Sequence, residues 1–273
     1  MTMGKSRRWT GAAALALLLA AAAAALAAPA AEWTYPLSAA LLENRNGNLT
    51  LVNREEALDA DFTPKNLVPL QLPSVSGPHE LRREAAAELA ALFDAAAKDG
   101  FELFVKSSYR SYQTQNTMYQ NRLERYGRDD GVVARPGTSD HQTGLGVDVL
   151  NREWSLKDGM TPAFGDTAEA RWMEANCARF GFIIRYLSEK QQVTGIIYEP
   201  WHLRYVGRDV AAYVMENRLS MEEFVPEYRA AIAAYEAAGG DFAELVRTLN
   251  APPPVVEIAP EDGEGDTEVS IGS

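Results

Sequence analysis

The chain has 273 residues, a formal net charge of −12 and a single cysteine, Cys177. An acidic balance of this size argues against nucleic acid, whose phosphates require a basic patch, and against adhesion of the folded part to anionic lipid. One cysteine excludes an intramolecular disulfide, which a chain this long does not need in order to bury an adequate core.

Residues 1–31 read as an export signal. Lys5, Arg7 and Arg8 precede an almost unbroken Ala/Leu run over 11–28. The small residues Ala25, Ala27, Ala28, Ala30 and Ala31 then offer several small-x-small cleavage registers. The rival is an uncleaved membrane anchor. The run is near the lower limit of about 17 residues for a spanning helix, and alanine is weakly apolar, so cleavage is favoured. No cysteine follows the run to carry a lipoprotein anchor. Either way the remainder is expected outside the cytoplasm: secreted, in the cell wall or membrane-anchored, with any membrane contact confined to this segment.

Residues 32–77 look irregular, with a turn signal at Asn46-Gly47, prolines 64, 69 and 73, and one strand candidate, Leu49-Thr50-Leu51-Val52. A folded domain is expected over 78–217. Its first element is a helix over 79–98, with Leu81, Ala85, Leu89, Leu92, Phe93 and Ala96 on one face and Asp99-Gly100 at its end. His79, after Gly77-Pro78, reads as a solvated loop residue. A strand over 101–107 follows, with Phe101, Leu103 and Val105 on one side. Ser111 caps a second helix that runs to Tyr126 and closes at Gly127, its apolar face formed by Tyr112, Tyr119, Leu123 and Tyr126. Between strand and helix lies Ser108-Tyr109-Arg110-Ser111, a junction of the kind that often carries function. Arg110 there can pair bidentately with a carboxylate, its ordinary alternative being a surface salt bridge.

The loop Arg135-Pro136-Gly137-Thr138 delivers the chain into Ser139-Asp140-His141-Gln142-Thr143-Gly144-Leu145-Gly146-Val147-Asp148. His141 and Asp148 are seven apart across a Gly-rich stretch, so a loop entering a strand over 145–150 must bring them together. Gly144 and Gly146 allow the backbone to approach closely there. Residues 151–164 are expected to form a loop, the segment placed to decide substrate choice. Cys177 falls in a helix over 166–180 and reads as a buried thiol, not a nucleophile. Strands are expected over 182–186, 193–198 and 202–206.

Glu199-Pro200-Trp201-His202 joins the last two. The residue before proline avoids the α region, so Glu199 and His202 converge through a bend after a strand, not on a zinc-binding helix. Trp201 reads as a core anchor or a pocket wall. Beyond Gly207 come a helix to 217 and, over 218–250, C-terminal helices opened by the capping box Ser220-x-x-Glu223. Residues 251–273, three prolines then acids and glycines, are expected to be disordered. Short strands with turn-sized gaps indicate an antiparallel sheet packed by helices, an α+β fold. No internal repeat is visible.

Two of the three histidines lie in these segments, each near a carboxylate. His141, Asp148 and His202 supply three protein ligands, the number with which a catalytic zinc site keeps a position open for water. Glu199 is left over as a general base, which makes a zinc hydrolase the hypothesis. A metal-bearing module without catalysis is the rival, and the presence of Glu199 speaks against it. A serine peptidase would need Ser-x-x-Lys, a spacing that Ser155-Leu156-Lys157 misses.

Four stretches carry a resemblance that spans roughly residues 51–207. They are Ser108-Tyr109-Arg110-Ser111 with Gln115; Ser139-x-His141-x-x-Gly144-x-x-x-Asp148; Gly181-Phe182 with Arg185-Tyr186; and Thr194-Gly195-x-x-Tyr198-Glu199-Pro200-Trp201-His202-x-Arg204-Tyr205-Val206-Gly207. In order and spacing the chain resembles the VanY-type D-alanyl-D-alanine carboxypeptidases, metallopeptidases related to the VanX dipeptidases. A departure is Gly146, where many relatives have a different small residue.

The resemblance implies a small antiparallel sheet flanked by helices and a zinc ion held by His141, Asp148 and His202. It implies Glu199 as base and then acid, Arg110 engaging the substrate, and Ser139 lining the peptide site. Tyr109, Gln115 and Trp201 are further candidates for substrate contact. The implied substrate is a peptidoglycan stem peptide losing its terminal D-alanine; the alternatives are an L,D-carboxypeptidase trimming tetrapeptide stems and a non-catalytic peptidoglycan-binding module, and a monomer is the expected state.

Overall fold

A computed structural model describes residues 31–251; the expected export signal and acidic tail, apart from their innermost residues, lie outside the described residues. The described chain opens with a single helical turn, α1 (Ala39–Leu42), and then runs irregularly through buried Leu49, Leu51 and Val52. The strand expected at 49–52 does not form. Two arginines take the carbonyls that a partner strand would have paired: Arg204 Nη2 donates to Asn48 O at 3.0 Å and Thr50 O at 2.8 Å, and Arg185 Nη2 to Val52 O at 3.4 Å. Buried backbone acceptors need a donor, and a guanidinium serves as well as a β ladder.

A short antiparallel pair follows, β1 (Leu67–Pro69) with β2 (Glu80–Arg82). It displaces the start of the expected helix, because Leu81 sits opposite Val68 in the ladder. Helix α2 (Arg83–Lys98) therefore begins later and buries Ala85, Leu89, Leu92, Phe93 and Ala96. Strand β3 (Leu103–Ser107) leads to α3 (Tyr112–Tyr126), which has the expected ends: the Ser111 side chain accepts from Thr114 N, and Gly127 is left-handed at φ 71°. Its aromatic stripe is not core. Gln115 is the buried residue of this helix, because its inner side closes a cleft and covers no apolar layer.

Strand β4 (Gly146–Asn151) and the turn α4 (Arg152–Ser155) come next, then α5 (Ala168–Asn176), which tightens into a 3-10 turn (Cys177–Phe180) ending at Gly181. A Cβ at Gly181 would lie 2.7 Å from the Tyr205 ring, so glycine is required on space as well as on its φ of 76°. Cys177 is fully buried, and burial pushes its thiol up to about 12, which leaves it an unreactive core residue. After β5 (Phe182–Ile184), the expected strand at 193–198 is absent. Residues there form one helical turn, α6 (Gln191–Thr194), closed by left-handed Gly195 whose N–H returns to Gln191 O at 3.0 Å. Strand β6 (His202–Tyr205) and helices α7 (Arg208–Glu216), α8 (Met221–Ala237) and α9 (Phe242–Leu249) complete the described chain. The Ser220/Glu223 capping box opens α8 as its sequence predicts.

The fold is α+β. Its main sheet has the order β3-β4-β6-β5, with every neighbouring pair antiparallel. Alternation along the strands decides what each face does. Leu103, Val105, Val147, Val149, Phe182, Ile184, Leu203 and Tyr205 pack with the apolar sides of α2 and α5 in one core. Ile183, on the other face, packs with Leu49, Leu51 and the apolar sides of α7 and α8. The intervening residues of the two central strands, Asp148, His202 and Arg204, also project to that second face and are buried there. No described helix is long and apolar enough to cross a membrane.

Candidate metal centre and active site

Strand register assembles half the site. Asp148 on β4 lies directly opposite His202 on β6, and Ser107 on β3 is the partner of Asp148 on its other side. Such cross-strand neighbours hold their Cβ atoms about 5 Å apart on one face. His141 arrives from the turn before β4. A 3-10 turn (Asp140–Thr143), capped by the Ser139 side chain at His141 N and ended by left-handed Gly144, folds the loop back over the start of the strand. Gly146 makes this overlap feasible, since a Cβ there would be 3.0 Å from the Asp140 backbone.

The three side chains converge. Ligand-capable atoms of His141, Asp148 and His202 lie within 4.8 Å of one another, and all three residues are buried. His141 Nε2 is 3.3 Å from Asp148 Oδ2, and His202 Nδ1 is 3.2 Å from Asp148 Oδ1. Two ligands at zinc distances in a tetrahedron sit roughly 3.4 Å apart, so this spacing suits that ion. Asp148 Oδ1 is moreover enclosed without a hydrogen-bond partner, an expensive state for a carboxylate oxygen with no cation to meet it. Tautomers agree with the fit. His141 Nδ1 is 2.6 Å from Ser108 O, and a carbonyl only accepts, so Nδ1 carries the proton and the Nε2 lone pair faces inward. Burial, aided by the Arg110 charge, lowers His141 to about 4, so the imidazole is neutral and able to ligate. Burial would raise Asp148, but the two imidazoles beside it hold it below the carboxylate range.

Glu199 stands just before β6 at a turn in which His202 N donates to Glu199 O at 3.0 Å. Its Oε2 is 3.6 Å from His202 Nδ1. Burial, and then the nearby Asp148 charge, push its carboxyl well above the ordinary glutamate value, while Arg110 and Arg185 pull the other way. Arg110 enters from the β3–α3 junction, tied to the metal loop by its N–H to His141 O at 3.2 Å. Its Nη1 makes one long contact, 3.4 Å to Ser107 Oγ, and its Nε is enclosed and unpartnered. A guanidinium with donors to spare retains the capacity to take a further hydrogen-bond acceptor.

These groups open on a cleft of about 180 Å³, lined by Arg110, Gln115, Ser139, His141, Asp148, Glu199, Trp201 and His202 among others. Comparison with known proteins follows the same outline. Residues 78–208 match the VanY family model, described as D-alanyl-D-alanine carboxypeptidase. A D-alanyl-D-alanine carboxypeptidase of Enterococcus faecalis is 31% identical over 194 residues, 67% of each protein. The chain belongs to the VanY family. Among solved structures, the LdcB LD-carboxypeptidase superposes with TM-score 0.59 at 39% identity, covering 63% of this chain and 82% of that one. A VanY from a VanB-type resistance cassette, solved with Zn(II), gives 0.54 at 32% identity, covering 65% of this chain and 98% of its own.

Of the candidate catalytic, metal and substrate residues of this VanY-family sequence, Tyr109 alone is not among those lining the cleft. It neighbours Arg110 just beyond the end of β3, and its N–H pairs with Glu80 O at 3.0 Å. Trp201 is both core and cleft wall, 2% exposed. The cleft also uses Tyr186, Met160 and Val132, to which the sequence reading gave no role. Tyr186 stood within the family stretches, but Met160 and Val132 come from loops whose path no local pattern specifies. Arg110 is no surface ion pair, and His79 is not simply solvated: its ring bonds to two serines.

Proposed function

We propose that the chain is a zinc-dependent D-alanyl-D-alanine carboxypeptidase that removes the terminal D-alanine of peptidoglycan stem peptides outside the cytoplasm. The observation that carries this reading is the convergence of two imidazoles and Asp148 beside a raised carboxyl, Glu199, and an underemployed guanidinium, Arg110. His141 Nε2, Asp148 and His202 Nδ1 would hold the ion. Zinc, when bound, supplies Lewis acidity that polarises a peptide carbonyl and acidifies water. Glu199 accepts a proton from the attacking water and returns it to the departing D-alanine amine, a double duty that suits a carboxyl whose environment favours protonation. Arg110 pairs with the substrate's terminal carboxylate and sets which bond lies at the site. Gln115 Nε2 donates to Ala134 O at 2.7 Å, leaving its buried Oε1 unpartnered as an acceptor for a substrate N–H. The export reading of the first 31 residues fits a substrate found beyond the membrane.

The test is incubation of the full chain with pentapeptide and tetrapeptide stems, followed by mass spectrometry. Loss of one alanine from the pentapeptide is the expected result; no loss from either stem would overturn the reading. Preferential trimming of the tetrapeptide would assign it instead to L,D-carboxypeptidases, a second reading favoured by the higher identity to LdcB. Gly159 and Met160, in the 151–164 loop, line the cleft and are the place to look for that choice.

Arg110→Lys checks the carboxylate contact. Lysine keeps the charge but not the planar two-point fork, so kcat/KM on free-carboxylate peptides should fall on the order of tenfold to a hundredfold. Amidating the peptide's C-terminus should then harm the wild type far more than the variant. Equal cleavage of amidated and free peptides by the wild type would make the enzyme an endopeptidase.

A further inference from the structure

His79, the histidine remote from the metal cluster, is held in a directed chain of hydrogen bonds that ends beside it. Its Nε2 is 2.9 Å from Ser74 Oγ, and its Nδ1 is 3.2 Å from Ser108 Oγ. The directions follow from the remaining partners. Ser74 Oγ has a single proton and lies against two carbonyls, Ser76 O and Val105 O, the latter at 2.9 Å. It must donate to one of them, so toward His79 it accepts, and Nε2 carries the ring proton. Nδ1 is then an acceptor and takes the Ser108 hydroxyl proton. Ser108 Oγ in turn accepts from Glu80 N at 3.0 Å. Burial lowers the pKa of His79, in keeping with a neutral ring that has one donor and one acceptor.

Ser108 is where this chain meets the site. Its carbonyl receives the His141 Nδ1 proton at 2.6 Å, and two residues on Arg110 enters the cleft. No strand partner of β3 reaches residue 108, whose register ends at Ser107 opposite Asp148. Beyond that point the backbone is fastened by Tyr109 N to Glu80 O at 3.0 Å, by Arg110 N to His141 O at 3.2 Å and by the hydroxyl held at His79. We propose that His79 is a positioning residue of the metal centre, which through Ser108 fixes the carbonyl that orients and polarises His141. This rests on the zinc reading above. Groups that orient a metal-bound histidine typically alter affinity tenfold to a hundredfold, and a residue one bond further out belongs at the lower end.

The test measures zinc affinity of the full chain by competition with a chromophoric chelator, together with the visible spectrum of the cobalt(II) form. His79→Ala should weaken zinc about tenfold and shift the cobalt bands. His79→Asn, whose amide oxygen can take the place of Nδ1 toward Ser108, should restore most of both. Ser108→Ala removes the hydroxyl but keeps the carbonyl, should reproduce the His79→Ala weakening, and serves where that variant fails to fold. Zinc affinity and cobalt bands unchanged in Ser108→Ala, or no recovery in His79→Asn, would overturn the proposal. A wild type that binds no zinc would instead sink the functional reading on which it rests.

Discussion

Glu199→Gln is expected to leave one zinc per chain and an intact fold while lowering kcat by about two to four orders of magnitude, the range general-base catalysis supplies. The substitution is isosteric, so the turn from Glu199 O to His202 N is kept, and none of the three converging ligand atoms is touched. What it removes is the ability to accept and return a proton. KM should change little, because the carboxyl acts on the proton in transit and Arg110 makes the proposed contact with the bound peptide. Metal analysis alongside turnover separates the causes. Lost activity with lost zinc would mean that the carboxyl is a ligand, and near-normal turnover would place the base elsewhere.

How far the site was legible can be judged from individual residues. His141 and His202 could be named from the sequence because the chain has only three histidines, and Asp148 because the Gly-rich stretch through Gly144 and Gly146 links it to His141. The register that joins Asp148 to His202 was not readable, yet strand alternation made their sharing a face natural once both lay on strands. The misread segments have a common cause. Residues 49–52, 79–82 and 193–198 are short, and each is decided by a distant partner or a single glycine: the Arg185 and Arg204 guanidiniums, strand β1, and left-handed Gly195. Local apolar periodicity carries no information about such partners. The aromatic stripe of α3 failed differently. Its period is helical, but that helix borders a cleft, so the regularity did not mark a core. His79 read as solvated because nothing near it in sequence shows Ser108, 29 residues on, as its partner.

Asp140→Asn should cost the fold about 3–5 kcal/mol although the residue makes no contact with substrate in the proposed mechanism. Asp140 is fully buried between two arginines that are themselves almost wholly enclosed, its Oδ2 2.8 Å from Arg185 Nε and its Oδ1 paired with Arg204 Nη1. Arg185 also forks onto Glu222 at 2.7 and 2.8 Å. Two cations and two carboxylates thus balance, and the arginines spend their remaining donors on the 48–52 carbonyls. Burial alone would raise the Asp140 pKa, but the Arg204 and Arg185 charges outweigh it and hold the carboxyl below its ordinary value. A depressed folded-state pKa means that this contribution is present above the ordinary carboxylate range and disappears only as pH falls through the lower, folded value. Asparagine removes the charge at every pH and leaves one guanidinium without a counter-ion in the interior. At about 2–4 °C per kcal/mol for a chain of this size, melting should fall by roughly 10 °C. Glu222→Gln should cost less, since that side chain is 11% exposed and Asp140 still faces both arginines. The effect should also reach the metal, because Asp140 adjoins His141 in sequence and its Oδ2 is 3.9 Å from the unpartnered His202 Nε2. Urea unfolding of the metal-free and zinc-loaded variant measures both. A loss below about 1 kcal/mol, the level of an exposed ion pair, would show that the buried cluster is not what holds the loop of His141 against the sheet.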